Sequence, residues 1–117
     1  MAHARTEVKK LLTAQELELY DFGSSTEINK LTKPQLRTKL ERSRKLRDKY
    51  RDLFRRQRLA LRSEVGSKSG TKGNANDRTR QKEEIFAEVV ARFESRILHI
   101  EEQEDKELQA VESAPKA

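Results

Sequence analysis

The stretch from residue 40 to residue 58 reads LERSRKLRDKYRDLFRRQR, with nine Lys or Arg against three acids. Cations at that density suit one task, which is holding phosphates or carboxylates. At 100° per residue, Arg44, Arg51, Arg55 and Arg62 form one flank of a helix, and Lys45, Lys49 and Arg56 form another. Glu41, Asp48 and Asp52 lie between the flanks, opposite the apolar stripe. Each of these acids repels phosphate, and Glu41–Lys45 and Asp52–Arg56 are i,i+4 pairs in the favourable order. The surface is therefore mixed. Three readings compete: a solvated face, phosphate contact along one Arg-rich flank, or recognition of an acidic protein.

A basic-region zipper fails as a comparison. There the basic helix precedes its heptads, whereas here Leu40, Leu46, Tyr50, Leu53 and Phe54 interrupt the basic run at helical spacing. No tight turn joins two short helices as a helix-turn-helix would need, so base-specific readout is not expected. Nonspecific contact with a DNA or RNA backbone stays open.

The other chemical candidates are weaker. GSKSGTKG, residues 66–73, has three residues between Gly66 and Gly70, and Thr71 before Lys72. A phosphate loop needs four residues between its glycines and Lys directly after the second. The segment reads as a linker in which Lys68 and Lys72 add weak phosphate attraction. His3 and His99 are the only histidines, and neither has a second ligand at metal spacing. His99, beside a helical stripe, is expected to be partly buried. The Glu101/Glu102 pair has no enclosing structure around it, and catalysis needs a pocket with convergent groups. No catalytic residue, metal or cofactor is expected. The absence of Cys excludes disulfides and thiolate sites.

The elements that must carry these cations are marked by two similar hexads, LTAQEL at 12–17 and LTKPQL at 31–36. Each places Thr at an N-cap, Glu or Gln three residues on, and a Leu on either side, which makes a capping box with a hydrophobic staple. Pro34 falls in a first turn, where its missing N–H costs nothing. Helices are expected over about 14–21, with Gly23 as a left-handed C-cap, and over 33–63. A flexible linker over 64–77 and a third helix over 78–111 follow, with frayed termini on both sides.

The second helix carries Leu36, Leu40, Ser43, Arg47, Tyr50, Phe54, Gln57 and Leu61 at alternating spacings of four and three. The third repeats the rhythm with Phe86, Val90, Phe93, Ile97 and Ile100, and Leu108 and Val111 continue it. These are heptad seams. Arg47 and Glu104 interrupt them and are expected to reach solvent along their stems.

The expected fold is all-α: a short N-terminal helix followed by a long, coiled-coil-like antiparallel hairpin in a single small domain. Each seam is one helix wide, and that leaves room for dimerisation into a four-helix bundle. Charge supports the hairpin. Residues 33–64 carry a net +9 and residues 83–112 a net −7 within a chain of +6. Antiparallel pairing about the linker sets 37–51 opposite 91–105. The acidic helix should then answer one basic edge and leave Arg44, Arg51, Arg55 and Arg62 for phosphate, protein or water.

Only 33% of the residues are hydrophobic, and no run approaches a membrane span. The start, MAHARTEVKKLL, lacks a secretory signal's apolar stretch, so the expected location is cytoplasmic with no membrane partner. The functional expectation is a non-enzymatic protein-interaction module, an adaptor or an antitoxin- or immunity-type inhibitor, with a protein partner. The alternative is a sequence-nonspecific nucleic-acid binder.

Overall fold

The computed structural model describes residues 3–63 and 70–113. In order, the chain forms α1 (Arg5–Leu11), α2 (Ala14–Phe22), a 3-10 turn (Ile28–Lys30), α3 (Lys33–Ser63) and α4 (Gly70–Ser113). The fold is all-α, and α3 and α4 pack antiparallel as a helical hairpin. The molecule is a rod of 80 × 26 × 20 Å.

Both capping boxes form. Glu16 N–H donates to Thr13 Oγ1 at 3.3 Å, and Thr13 N–H donates to Glu16 Oε1 at 3.0 Å. Gln35 N–H donates to Thr32 Oγ1 at 3.4 Å, and Thr32 N–H donates to Gln35 Oε1 at 2.9 Å. Each box satisfies two backbone donors that a helix start otherwise leaves open. The helices accordingly begin at Ala14 and Lys33.

Gly23 ends α2 differently from expectation. Its φ of −81° is right-handed, and its N–H donates to the Tyr20 carbonyl. Space explains the glycine instead. A Cβ there would stand 3.3 Å from the Tyr20 carbonyl oxygen and within 4 Å of Val89 and Phe93. The N-terminal segment also differs, since Arg5–Leu11 is helical where a frayed terminus was expected. Val8 and Leu12 are buried there, and Arg5 holds Asp21 through two hydrogen bonds of 3.1 Å.

The seams sit where their spacing places them. Leu36, Leu40, Ser43 and Tyr50 are buried, and Arg47, Phe54, Gln57 and Leu61 are half-buried. On α4, Phe86, Val90 and Phe93 are buried and Ile97 and Ile100 are half-buried. Ile85 and Val89 complete the core from the neighbouring positions, and Leu19, Tyr20 and Ile28 close it from the N-terminal segments. Fully burying a side chain such as Phe93 stabilises by roughly 1.5–3 kcal/mol.

The third helix starts at Gly70, not near residue 78. Of the expected linker, 70–77 is helical, and 64–69 lies outside the described residues, as do the last four residues of the tail. Helix propensity argues against Gly70 and Gly73 but is a weak prior. The extension lets α4 run beside the last turns of α3, with Thr79 buried and Asn76 half-buried. The ion pairs across the hairpin place the register one to two helical turns from the one expected. Arg37 meets Glu101 at 3.7 Å and Arg51 meets Glu83 at 3.9 Å.

At the other end α4 overruns its partner. Residues 102–113 are exposed throughout, including Leu108 (57%) and Val111 (74%). Among the described residues, no helix is long and apolar enough to cross a membrane.

Candidate interaction surface

The seven cations singled out by the sequence do not form one surface. Arg44 donates to Glu94 at 3.0 Å, and Arg51 lies 3.3 Å from Asp48 as well as near Glu83. Lys33 adds contacts to Glu101 at 3.6 Å and to Glu104 at 3.3 Å. The acidic helix therefore answers the Arg44–Arg51 edge, the opposite of the edge expected. The reason is where the third body lies. Lys39 Nζ sits 3.7 Å from the Phe22 ring centroid, so α2 covers the Lys39 side of the α3 stripe. That leaves the Arg44 side for α4.

On the other edge, Lys45 lies 3.6 Å from Glu41, and Arg56 pairs with Asp52 within α3. Lys49 Nζ stands 5.4 Å from the Tyr50 ring centroid. Such exposed pairs contribute roughly 0–1 kcal/mol each. They satisfy charge locally and remain open to solvent.

Arg47 and Glu104 do not meet. Arg47 turns to Asp48 at 3.3 Å, and Glu104 turns to Lys33. His99 is exposed rather than partly buried, because its helical position falls outside the width of the stripe. His3 Nε2 lies 3.4 Å from Glu84.

Toward the tip the pattern changes. Arg55 and Arg62 are exposed and have no ion pair among the described residues. They line an open groove of about 380 Å³ with Arg51, Phe54, Arg58, Leu59 and Glu83. Arg58 stacks over the Phe54 ring at 5.7 Å, and Leu59 is 55% exposed. This mixture of arginines with an aromatic and a leucine can take up an acidic, partly apolar ligand. Arg58 escapes a reading by wheel flanks alone, because its role follows from the ring of Phe54 four residues before it.

Sequence reasoning also missed a polar centre beneath the surface. Glu16 is buried, and its second oxygen accepts from the Tyr50 hydroxyl. Tyr50 stacks on Phe86 with centroids 5.9 Å apart, and Lys82 Nζ stands 5.0 Å from its ring centroid. Burial, and then the bond to Glu16, raises the Tyr50 hydroxyl well above the ordinary tyrosine range. The contact locks α2 to the middle of α3, and the signal for it was the capping-box Glu, which a wheel treats as a surface residue. No protein-family model, curated protein or solved structure matches this chain.

Proposed function

We propose that this chain is a non-enzymatic helical interaction module whose binding end is the tip half of the hairpin, and that its partner is an acidic, amphipathic protein segment. The observation that carries this reading is the groove at Phe54 and Leu59, flanked by Arg55, Arg58 and Arg62. The base of the hairpin spends its cations on its own α4, through Lys33, Arg37, Arg44 and Arg51. The tip cations have no such answer among the described residues. Apolar side chains between them favour a protein over a bare phosphate chain, since an interface core is apolar with arginine among its enriched residues.

One observation supports phosphate contact as a second reading. Residues 51–82 carry ten basic and three acidic groups, a net +7. Without apolar contact, so basic a stretch of sequence would bind any polyanion in proportion to its phosphates.

A salt titration separates the two. A fluorescent acidic amphipathic peptide and a DNA or RNA duplex are each titrated with the full chain. Phosphate binding gives a log–log slope of about −0.7 to −0.9 per neutralised phosphate. The protein reading expects the peptide to bind and the affinity to fall on Phe54→Ala, with the duplex weaker at every salt concentration. Tight duplex binding that is indifferent to Phe54→Ala would replace it with the phosphate reading.

A further inference from the structure

The seam of α4 continues past the end of its partner. Leu108 and Val111 extend the line of Ile97 and Ile100, but α3 begins at Lys33, which lies opposite Glu101 and Glu104. The nine residues 105–113 thus project as an uncovered helix of roughly 13 Å. Its apolar residues stand among Glu102, Asp105, Glu107 and Glu112, which form no ion pair among the described residues.

The tip groove at the far end of the same rod has the complementary character, with Phe54 and Leu59 among Arg55, Arg58 and Arg62. Glu83 at the groove and Asp105 at the start of the overhang lie on one helix, roughly 33 Å apart, so one chain cannot bring the two surfaces together. Two chains lying antiparallel can. Each overhang then reaches the other's groove, and one two-fold axis closes both contacts. Pairing overhang with overhang would set acid against acid, and tip with tip would set arginine against arginine.

From this we infer that the chain forms an antiparallel dimer in which the acidic α4 overhang of each copy occupies the arginine-lined tip groove of the other. The inference rests on the proposed reading of the tip as a receptor for acidic amphipathic segments and names one such segment. It gives the overhang a second consequence. A partner that binds the tip must displace it, so self-association and partner binding compete for one groove.

The test is sedimentation of the full chain with reciprocal charge reversals. Wild type should run at twice the monomer mass in ~0.05 M salt and shift toward monomer in ~0.5 M salt, where screening shortens to a few ångströms. The tip variant Arg58→Glu/Arg62→Glu should be monomeric alone, and so should the overhang variant Asp105→Arg/Glu107→Arg. Mixed one to one, they should form a heterodimer, because both contacts again join opposite charges. Circular dichroism of each variant should match wild type, since these side chains are exposed. A wild type that stays monomeric in low salt overturns the inference, as does a mixture that stays monomeric. If the wild type is monomeric but still binds the acidic peptide at the tip, only the dimer falls. If it neither dimerises nor binds peptide, the reading of the tip falls with it.

Discussion

A buried hydrogen bond from Tyr50 to Glu16 ties α2 to α3. Glu16 accepts from the Thr13 backbone on one oxygen and from the Tyr50 hydroxyl on the other. Tyr50→Phe removes one of these donors and leaves a buried carboxylate oxygen without its partner. The expected cost is about 1–3 kcal/mol, read as a lower urea midpoint at unchanged slope. The same pair makes an alkaline prediction. Burial raises both Tyr50 and Tyr20, with the Glu16 bond adding for the first and the nearby Glu88 charge for the second. A tyrosine raised in the folded state is fully stabilising below its unfolded value and loses that contribution as pH climbs above it. Stability should therefore fall above pH ~10, where unfolded tyrosines ionise. Tyr50→Phe should make that fall shallower. An alkaline limb identical in the two proteins would show that Tyr50 ionisation is not linked to unfolding.

At the scale of helices, position along the seam decides what a residue contributes. Phe93 is fully buried between α3 and the glycine that ends α2. Phe93→Ala should cost about 3–5 kcal/mol through lost burial and a cavity. Leu108 has the same heptad logic but no helix opposite it, so Leu108→Ala should change monomer stability by less than ~0.5 kcal/mol. Thermal unfolding in high salt, with the chain monomeric, compares them. A large loss at Leu108 would mean that the overhang folds back onto the body. This contrast also shows what was legible in the sequence. Four–three spacing found Leu36, Leu40, Tyr50, Phe86, Val90 and Phe93 but not Ile85, and the Thr-x-x-Glu/Gln signals placed two helix starts. Spacing says nothing about where a facing helix ends, so Leu108 and Val111 looked like core. The short α1 has Val8 as its buried residue, with Leu12 just past its end, too few to show a period. Register depended on where α4 begins, and its start at Gly70 differs from the one near residue 78 that the sequence suggested. The choice between two basic edges depended on which side α2 occupied, and a wheel symmetric about its stripe cannot report that. Arg55 and Arg62 stand out on the wheel and are exposed in the structure, but their grouping with Phe54 and Leu59 needed the packed helices.

The whole molecule is uneven along its length, and that unevenness bears on function. Past Tyr50, none of the described residues of α3 is fully buried. The fully buried side chains cluster between Leu36 and Tyr50 on one helix and between Ile85 and Phe93 on the other, beneath the N-terminal segments. Within the tip half, Gln57 Oε1 and Asn76 Oδ1 are buried without a hydrogen-bond partner among the described residues, and each such atom costs on the order of 1–3 kcal/mol. Few apolar contacts and unsatisfied polar atoms are the marks of a segment that opens locally before the whole unfolds. Amide hydrogen exchange should therefore be slowest at 36–50 and 85–93, and faster at 54–62 and 105–113. On the proposed reading a partner covers the tip, so an acidic amphipathic peptide should slow exchange at 54–62 while leaving 36–50 unchanged. If the inferred dimer forms, competition for the groove predicts that the same peptide speeds exchange at 105–113. Protection spread evenly along α3 would mean that the hairpin opens as one unit. In that case the proposal of a pliable tip completed by a partner would fall.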